Sequence, residues 1–97
     1  MVEPLIAQAQ RIEQALNEAA RELAETHVEG RSEDNKVKVR LTGTFELARV
    51  RITAGALEET TPKQLEKAVA AAFDDALLQA RALASARRMQ ALQGEEE

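Results

Sequence analysis

Leu5, Ala9, Ile12, Leu16, Ala19 and Leu23 recur at alternating steps of four and three, with Gln, Glu, Arg and Asn between them. That period predicts an amphipathic helix from Pro4 to about Glu25 with a coiled-coil-like seam. Pro4 suits the first turn, where its missing N–H would have had no partner. The period then changes. Lys36-Val37-Lys38-Val39-Arg40-Leu41-Thr42 alternates charged and apolar positions, which predicts a half-buried strand. Ser32-Glu33-Asp34-Asn35 reads as a turn, so His27 to Arg31 should pair back as an antiparallel strand. Gly43 marks a second turn, and Leu47 to Thr53 a third strand with Val50 and Ile52 inward and Arg49 and Arg51 outward. After Gly55, Thr61-Pro62-Lys63-Gln64 is a capping box with proline at the first helical position. It opens a long helix to about Leu92, ending near Gly94. The apolar positions of that helix are Leu65, Val69, Ala72, Phe73, Ala76, Leu77, Ala80 and Leu83, and many of the rest are alanine, the best helix former.

The expected fold is α+β: a helix, a three-stranded antiparallel meander and a long helix. One domain spans residues 1–97, with a short acidic tail from about residue 94. At ~1.5 Å per residue the helices run about 30 and 45 Å, whereas a six-residue strand spans ~20 Å. Both helices must overhang the sheet, and an overhanging apolar stripe is unfavourable in water. Leu5, Ile12 and Leu16 of the first helix, with Val69, Phe73 and Leu77 of the second, are therefore expected to meet a second copy in a homodimer.

Composition agrees. A chain of 97 residues buries only about 60–65 % of its unfolded surface. Its apolar 44 % is largely alanine, and its aromatics are Phe45 and Phe73 alone, both read here as core. There is no cysteine, hence no disulfide, thiol nucleophile or thiolate metal site. His27 is the single histidine, too little for a metal centre and best read as a surface strand residue. The longest uninterrupted apolar run, Ala68 to Phe73, is too short to span a bilayer. Acidic Glu3 and the lack of a basic stretch before an apolar run argue against a signal peptide, so a cytoplasmic protein is expected.

The net charge of −4 argues against a polycationic binder, but its distribution is uneven. Lys36, Lys38, Arg40, Arg49 and Arg51 face only Glu46 in the same stretch, and Arg81, Arg87 and Arg88 sit in a segment without carboxylates. Strand alternation puts Lys36, Lys38 and Arg40 on one face and Arg49 with Arg51 on the matching face of the next strand. Like charges opposite one another destabilise a sheet, so this pattern points to an anionic partner. The competing reading is a solvated face relieved by Glu29 and Glu46. For Arg81, Arg87 and Arg88 the helix macrodipole is a sufficient structural explanation, with phosphate contact as the alternative. Asp74 and Asp75, adjacent on a helix, point in different directions and read as surface charge. No Gly-rich phosphate loop, nucleophile elbow or histidine–carboxylate constellation is present, so no enzyme, cofactor, metal or small-molecule substrate is expected. Without Trp or Tyr, base stacking is disfavoured against backbone contact to duplex.

Several stretches resemble the YbaB/EbfC family of bacterial nucleoid-associated proteins. Leu5-Ile6-Ala7-Gln8-Ala9-Gln10 is similar to that family's opening L-M-K-Q-A-Q. Val28-Glu29-Gly30, Val37-Lys38-Val39 and Thr42-Gly43 resemble its sheet pattern, and Arg49-Val50-Arg51-Ile52 resembles R-V-x-I. Leu65-Glu66 with Val69-Ala70-Ala71-Ala72-Phe73-Asp74-Asp75-Ala76 looks like L-E-x-x-V-A-A-A-F-N-D-A. The resemblance covers about residues 5 to 89. It implies a tweezer-like homodimer with projecting helices that binds double-stranded DNA, with little sequence preference, and helps organise the nucleoid. Lys38 and Arg49 fall on recurrent basic positions of the family. Ala7 stands where the family has lysine, Leu77-Leu78 where a basic pair often follows, and Glu95-Glu96-Glu97 where the family has a long tail. Each departure removes positive charge. The expected function is non-enzymatic DNA binding through phosphate contacts by Lys36, Lys38, Arg40, Arg49, Arg51, Arg81, Arg87 and Arg88. The alternative is a protein-interaction scaffold acting through the apolar helices, with weak or no DNA binding.

Overall fold

The structure, a computed structural model, describes residues 3–94; the acidic tail at 95–97 lies outside the described residues. Six elements follow in order: α1 (Glu3–Glu25), β1 (His27–Arg31), β2 (Val37–Thr42), β3 (Leu47–Ile52), α2 (Ala54–Glu59) and α3 (Pro62–Gly94). The strands form an antiparallel sheet in the order β1-β2-β3. The α+β meander flanked by two long helices is as the periodicity predicts. The short α2 is not, because six residues starting Ala-Gly carry no readable period.

Local chemistry explains the corners. Between β1 and β2, Asn35 takes φ 59°, which a short polar side chain tolerates. Ser32 is buried there: its Oγ donates to Asp34 Oδ1 at 2.6 Å and accepts from the Val37 N–H at 3.1 Å. Between β2 and β3, Thr42 Oγ1 accepts from the N–H groups of Thr44 and Glu46, and Phe45 takes φ 71°. The capping box closes as expected, with the Gln64 N–H donating to Thr61 Oγ1 at 3.2 Å and the Thr61 N–H to Gln64 Oε1 at 3.1 Å.

The core lies between the inner face of the sheet and α3. Val37, Val39 and Leu41 are at most 1 % exposed and pack with Ala72 and Ala76. Small residues allow the helix to approach closely. A Cβ on Gly30 would lie 2.2 Å from both the Ala72 carbonyl oxygen and the Ala76 nitrogen, so β1 and α3 meet backbone to backbone. α1 docks through Leu23 along the C-terminal half of α3, and the Gly43 N–H seals its end by donating to the Leu23 carbonyl at 2.8 Å.

α3 covers β1 and β2 but leaves β3 open. Val50 and Ile52 face inward, opposite Val39 and Val37, yet remain 43 % and 38 % exposed in the single chain. The two phenylalanines depart from the core reading. Alanines occupy the face of α3 that touches the sheet, so Phe73 falls on its flank and is 40 % exposed, while Phe45 sits at a left-handed corner and is also exposed. Asp75 departs from the surface-charge reading: its Oδ2 accepts the Arg31 N–H at 3.0 Å, and Gln79 Nε2 donates to the Glu29 carbonyl at 2.8 Å. These two side chains close the outer edge of β1.

The molecule measures 69 × 17 × 16 Å, with a radius of gyration of 18.8 Å. A compact domain of this length would have about 13 Å. The difference is the arm made by α1 and α3 beyond the sheet, where Leu5 is 69 % exposed and Ile12 and Leu16 are half-buried. No helix among the described residues is long and apolar enough to cross a membrane.

Candidate nucleic-acid interface

The outer face of the sheet follows from strand register. Val37, Val39 and Leu41 turn inward, so Lys38 and Arg40 turn outward, and pairing aligns their neighbours. Arg31, Lys38 and Arg51 form one row across the three strands; Glu29, Arg40 and Arg49 form the next. Strands lie ~4.8 Å apart and alternate residues ~6.7 Å apart along a strand. Five basic side chains and one carboxylate thus share a patch about 10 Å wide, on a chain whose net charge is −4.

Glu29 provides the local relief. Its Oε2 lies 3.1 Å from Arg31 Nη2 and its Oε1 3.9 Å from Arg40 Nη2. Among the described residues no ion pair engages Lys38, Arg49 or Arg51, and none engages Glu46, which was expected to share the relief. Lys38 stands opposite Arg51 and Arg40 opposite Arg49, the pairing that a sheet disfavours. No aromatic side chain belongs to the outward rows, so the face offers cations and hydrogen-bond donors rather than a stacking platform.

The other sequence-derived candidates are dispersed. Lys36 precedes β2 and is held by α2, with Nζ 3.0 Å from Glu59 Oε2. Arg81, Arg87 and Arg88 lie along α3, roughly 8–18 Å beyond Ala76 at ~1.5 Å per residue. Arg87 is engaged in the arm, its Nη1 3.4 Å from Glu22 Oε2 of α1. Arg88 is exposed and borders a shallow groove lined by Leu16, Ala19, Leu23 and Ala84. The structure therefore brings together Lys38, Arg40, Arg49 and Arg51, leaves Lys36, two residues before Lys38, in an ion pair with Glu59, and places the three helical arginines away from them. Arg31 belongs to the first row although it precedes the basic stretch that opens at Lys36. The two-residue period of His27, Glu29 and Arg31 already carried the signal.

A second surface is apolar. Val69 and Phe73 lie on the flank of α3 opposite Ala68 and Ala71, which border the β1–β2 turn. A groove lined by Pro62, Leu65, Val69, Ala70 and Phe73 runs along that flank.

The YbaB/EbfC DNA-binding family matches residues 1–95 of this chain. A nucleoid-associated protein of Cutibacterium acnes is 42 % identical over 79 residues, covering 81 % of this chain and 74 % of the relative. A nucleoid-associated protein of Anaeromyxobacter sp. is 35 % identical over 83 residues, covering 86 % of this chain and 81 % of the relative. An uncharacterized protein of Helicobacter pylori, solved by crystallography, shares the fold at a TM-score of 0.75 and 17 % identity, covering 96 % of this chain and 95 % of that one. With its helix–meander–helix layout and the family match along nearly its whole length, the chain belongs to the YbaB/EbfC DNA-binding family.

Proposed function

We propose that this chain binds duplex DNA by phosphate contacts from the outer face of its sheet, with low sequence specificity, and helps organise the nucleoid as a homodimer. The observation that carries this reading is the pair of cationic rows, in which Lys38, Arg49 and Arg51 have no acidic partner among the described residues of an otherwise acidic chain. Phosphate contacts position a protein on DNA without reading sequence. A flat strand surface rich in arginine and poor in aromatics matches that mode. Arg31, Lys38, Arg40, Arg49 and Arg51 form the main contact surface, with Arg81 and Arg88 as secondary contacts along the arm. Lys36 and Arg87 serve the fold through Glu59 and Glu22. The nucleoid-associated names of the relatives support a place in the nucleoid, hence the cytoplasm.

The homodimer rests on the uncovered inner face of β3 and the flank of α3. Leu47, Val50, Ile52, Leu57 and Phe73 are each more than a third exposed, and a second copy related by a two-fold axis would cover them. Asp75 and Gln79 already occupy the edge of β1, so growth of the assembly falls to the β3 side. Of the interface residues read from the sequence, Val69 and Phe73 border the groove on α3, Leu77 packs partly buried against the core, and Leu5, Ile12 and Leu16 belong to the arm.

The test is a double charge reversal, Arg49→Glu with Arg51→Glu, assayed by fluorescence anisotropy on two duplexes of unrelated sequence. Loss of tenfold or more in affinity, equal on both duplexes, is expected. Unchanged affinity would move the DNA away from the sheet, and unequal loss would indicate base reading.

A further inference from the structure

We propose that Glu29 occupies the seat of a DNA phosphate on the outer face and competes with the DNA for Arg31 and Arg40. This rests on the proposed binding of duplex by that face. Glu29 is the one carboxylate in the two outward rows, and its two oxygens divide between two guanidinium groups, 3.1 Å from Arg31 Nη2 and 3.9 Å from Arg40 Nη2. Guanidinium attracts carboxylate and phosphate oxygens alike, by charge and by N–H donation, so a phosphate oxygen can take the place of either Glu29 oxygen at this point. The backbone beneath is pinned, since the Glu29 carbonyl accepts from Gln79 Nε2 at 2.8 Å. The side chain is not: it is 33 % exposed and, among the described residues, pairs with these arginines alone. A phosphate approaching Arg31 or Arg40 must turn the carboxylate away or meet its repulsion. Glu29 thus holds two of the five cations in reserve, and sets how tightly the face grips DNA without altering its shape.

The experiment compares the wild type with Glu29→Gln and Glu29→Thr, both neutral, and with Glu29→Asp, which keeps the charge. Arg49→Glu with Arg51→Glu serves as the control for use of the face. Each is titrated with one labelled duplex across a series of salt concentrations, after circular dichroism has shown it folded. Thr is included because a β-branched residue suits a strand, should Gln disturb it. The neutral variants are expected to bind about three- to tenfold tighter at low salt, the effect of releasing two exposed ion pairs. Their salt dependence should steepen by about 0.9 for each added phosphate contact. The Asp variant is expected to stay near the wild type. Neutral variants that bind no more tightly, or an Asp variant that gains as much as they do, would overturn the competition. If binding is unchanged by the Arg49 and Arg51 reversal, the sheet-face reading itself fails and Glu29 falls with it.

Discussion

Gly30 is the residue on which the close packing of sheet and helix depends. The space that a side chain would need is taken by the backbone of α3 at Ala72 and Ala76, 2.2 Å from where a Cβ would stand. Backbone cannot swing aside, so Gly30→Ala should destabilise the fold by about 3 kcal/mol or more, beyond ordinary overpacking. Urea unfolding followed by circular dichroism would measure it, and a loss below 1 kcal/mol would mean that helix and strand can separate freely. The β1–β2 turn makes a different point. The Ser32 hydroxyl and then the Lys36 N–H donate to the Asp34 carboxylate, and these bonds hold its pKa below the ordinary 3.8. A lowered folded pKa means that the stabilisation is present above the unfolded value and is lost as pH falls through the folded one. Ser32→Ala should raise the Asp34 pKa toward its ordinary value, read by carboxyl titration in NMR; an unmoved titration would assign the shift to the backbone instead.

At the scale of elements, α1, the hairpin and α3 were legible because each carries a long, clean period, and Thr61 to Gln64 announced a cap that the structure closes. What the pattern could not convey was which apolar residues meet within one chain. Val50 and Ile52 alternate as inward positions should, yet the width of α3 suffices for only two strands. Phe73 shares the stripe of Ala72 and Ala76, but close approach at Gly30 selects the alanines for contact and leaves the phenylalanine on the flank. Likewise, alternation aligned Lys38 and Arg40 with Arg49 and Arg51, whereas Glu59 and Glu22, which draw away Lys36 and Arg87, are distant in sequence. Val50 is 43 % exposed in the single chain, so the fold should tolerate Val50→Asp, while the proposed self-association should weaken at least tenfold. Sedimentation equilibrium with circular dichroism separates the two. A variant that associates as well as the wild type would place the contact between copies elsewhere.

At the scale of the whole molecule, charge is sorted rather than abundant. A chain of net charge −4 presents five basic side chains on one sheet face, with Glu29 as their immediate counterweight. An arm formed by α1 and α3 carries the molecule to 69 Å in length. A net acidic chain disfavours indiscriminate adhesion to polyanions, so the proposed grip on a regular array of phosphates falls to the face where the cations converge. If phosphate neutralisation drives binding, as proposed, the affinity of the wild type for duplex DNA must fall steeply with salt. Four or five contacts from one face predict a slope of about −4 in log K against log salt. A slope near zero, or no binding at low salt, would contradict the account.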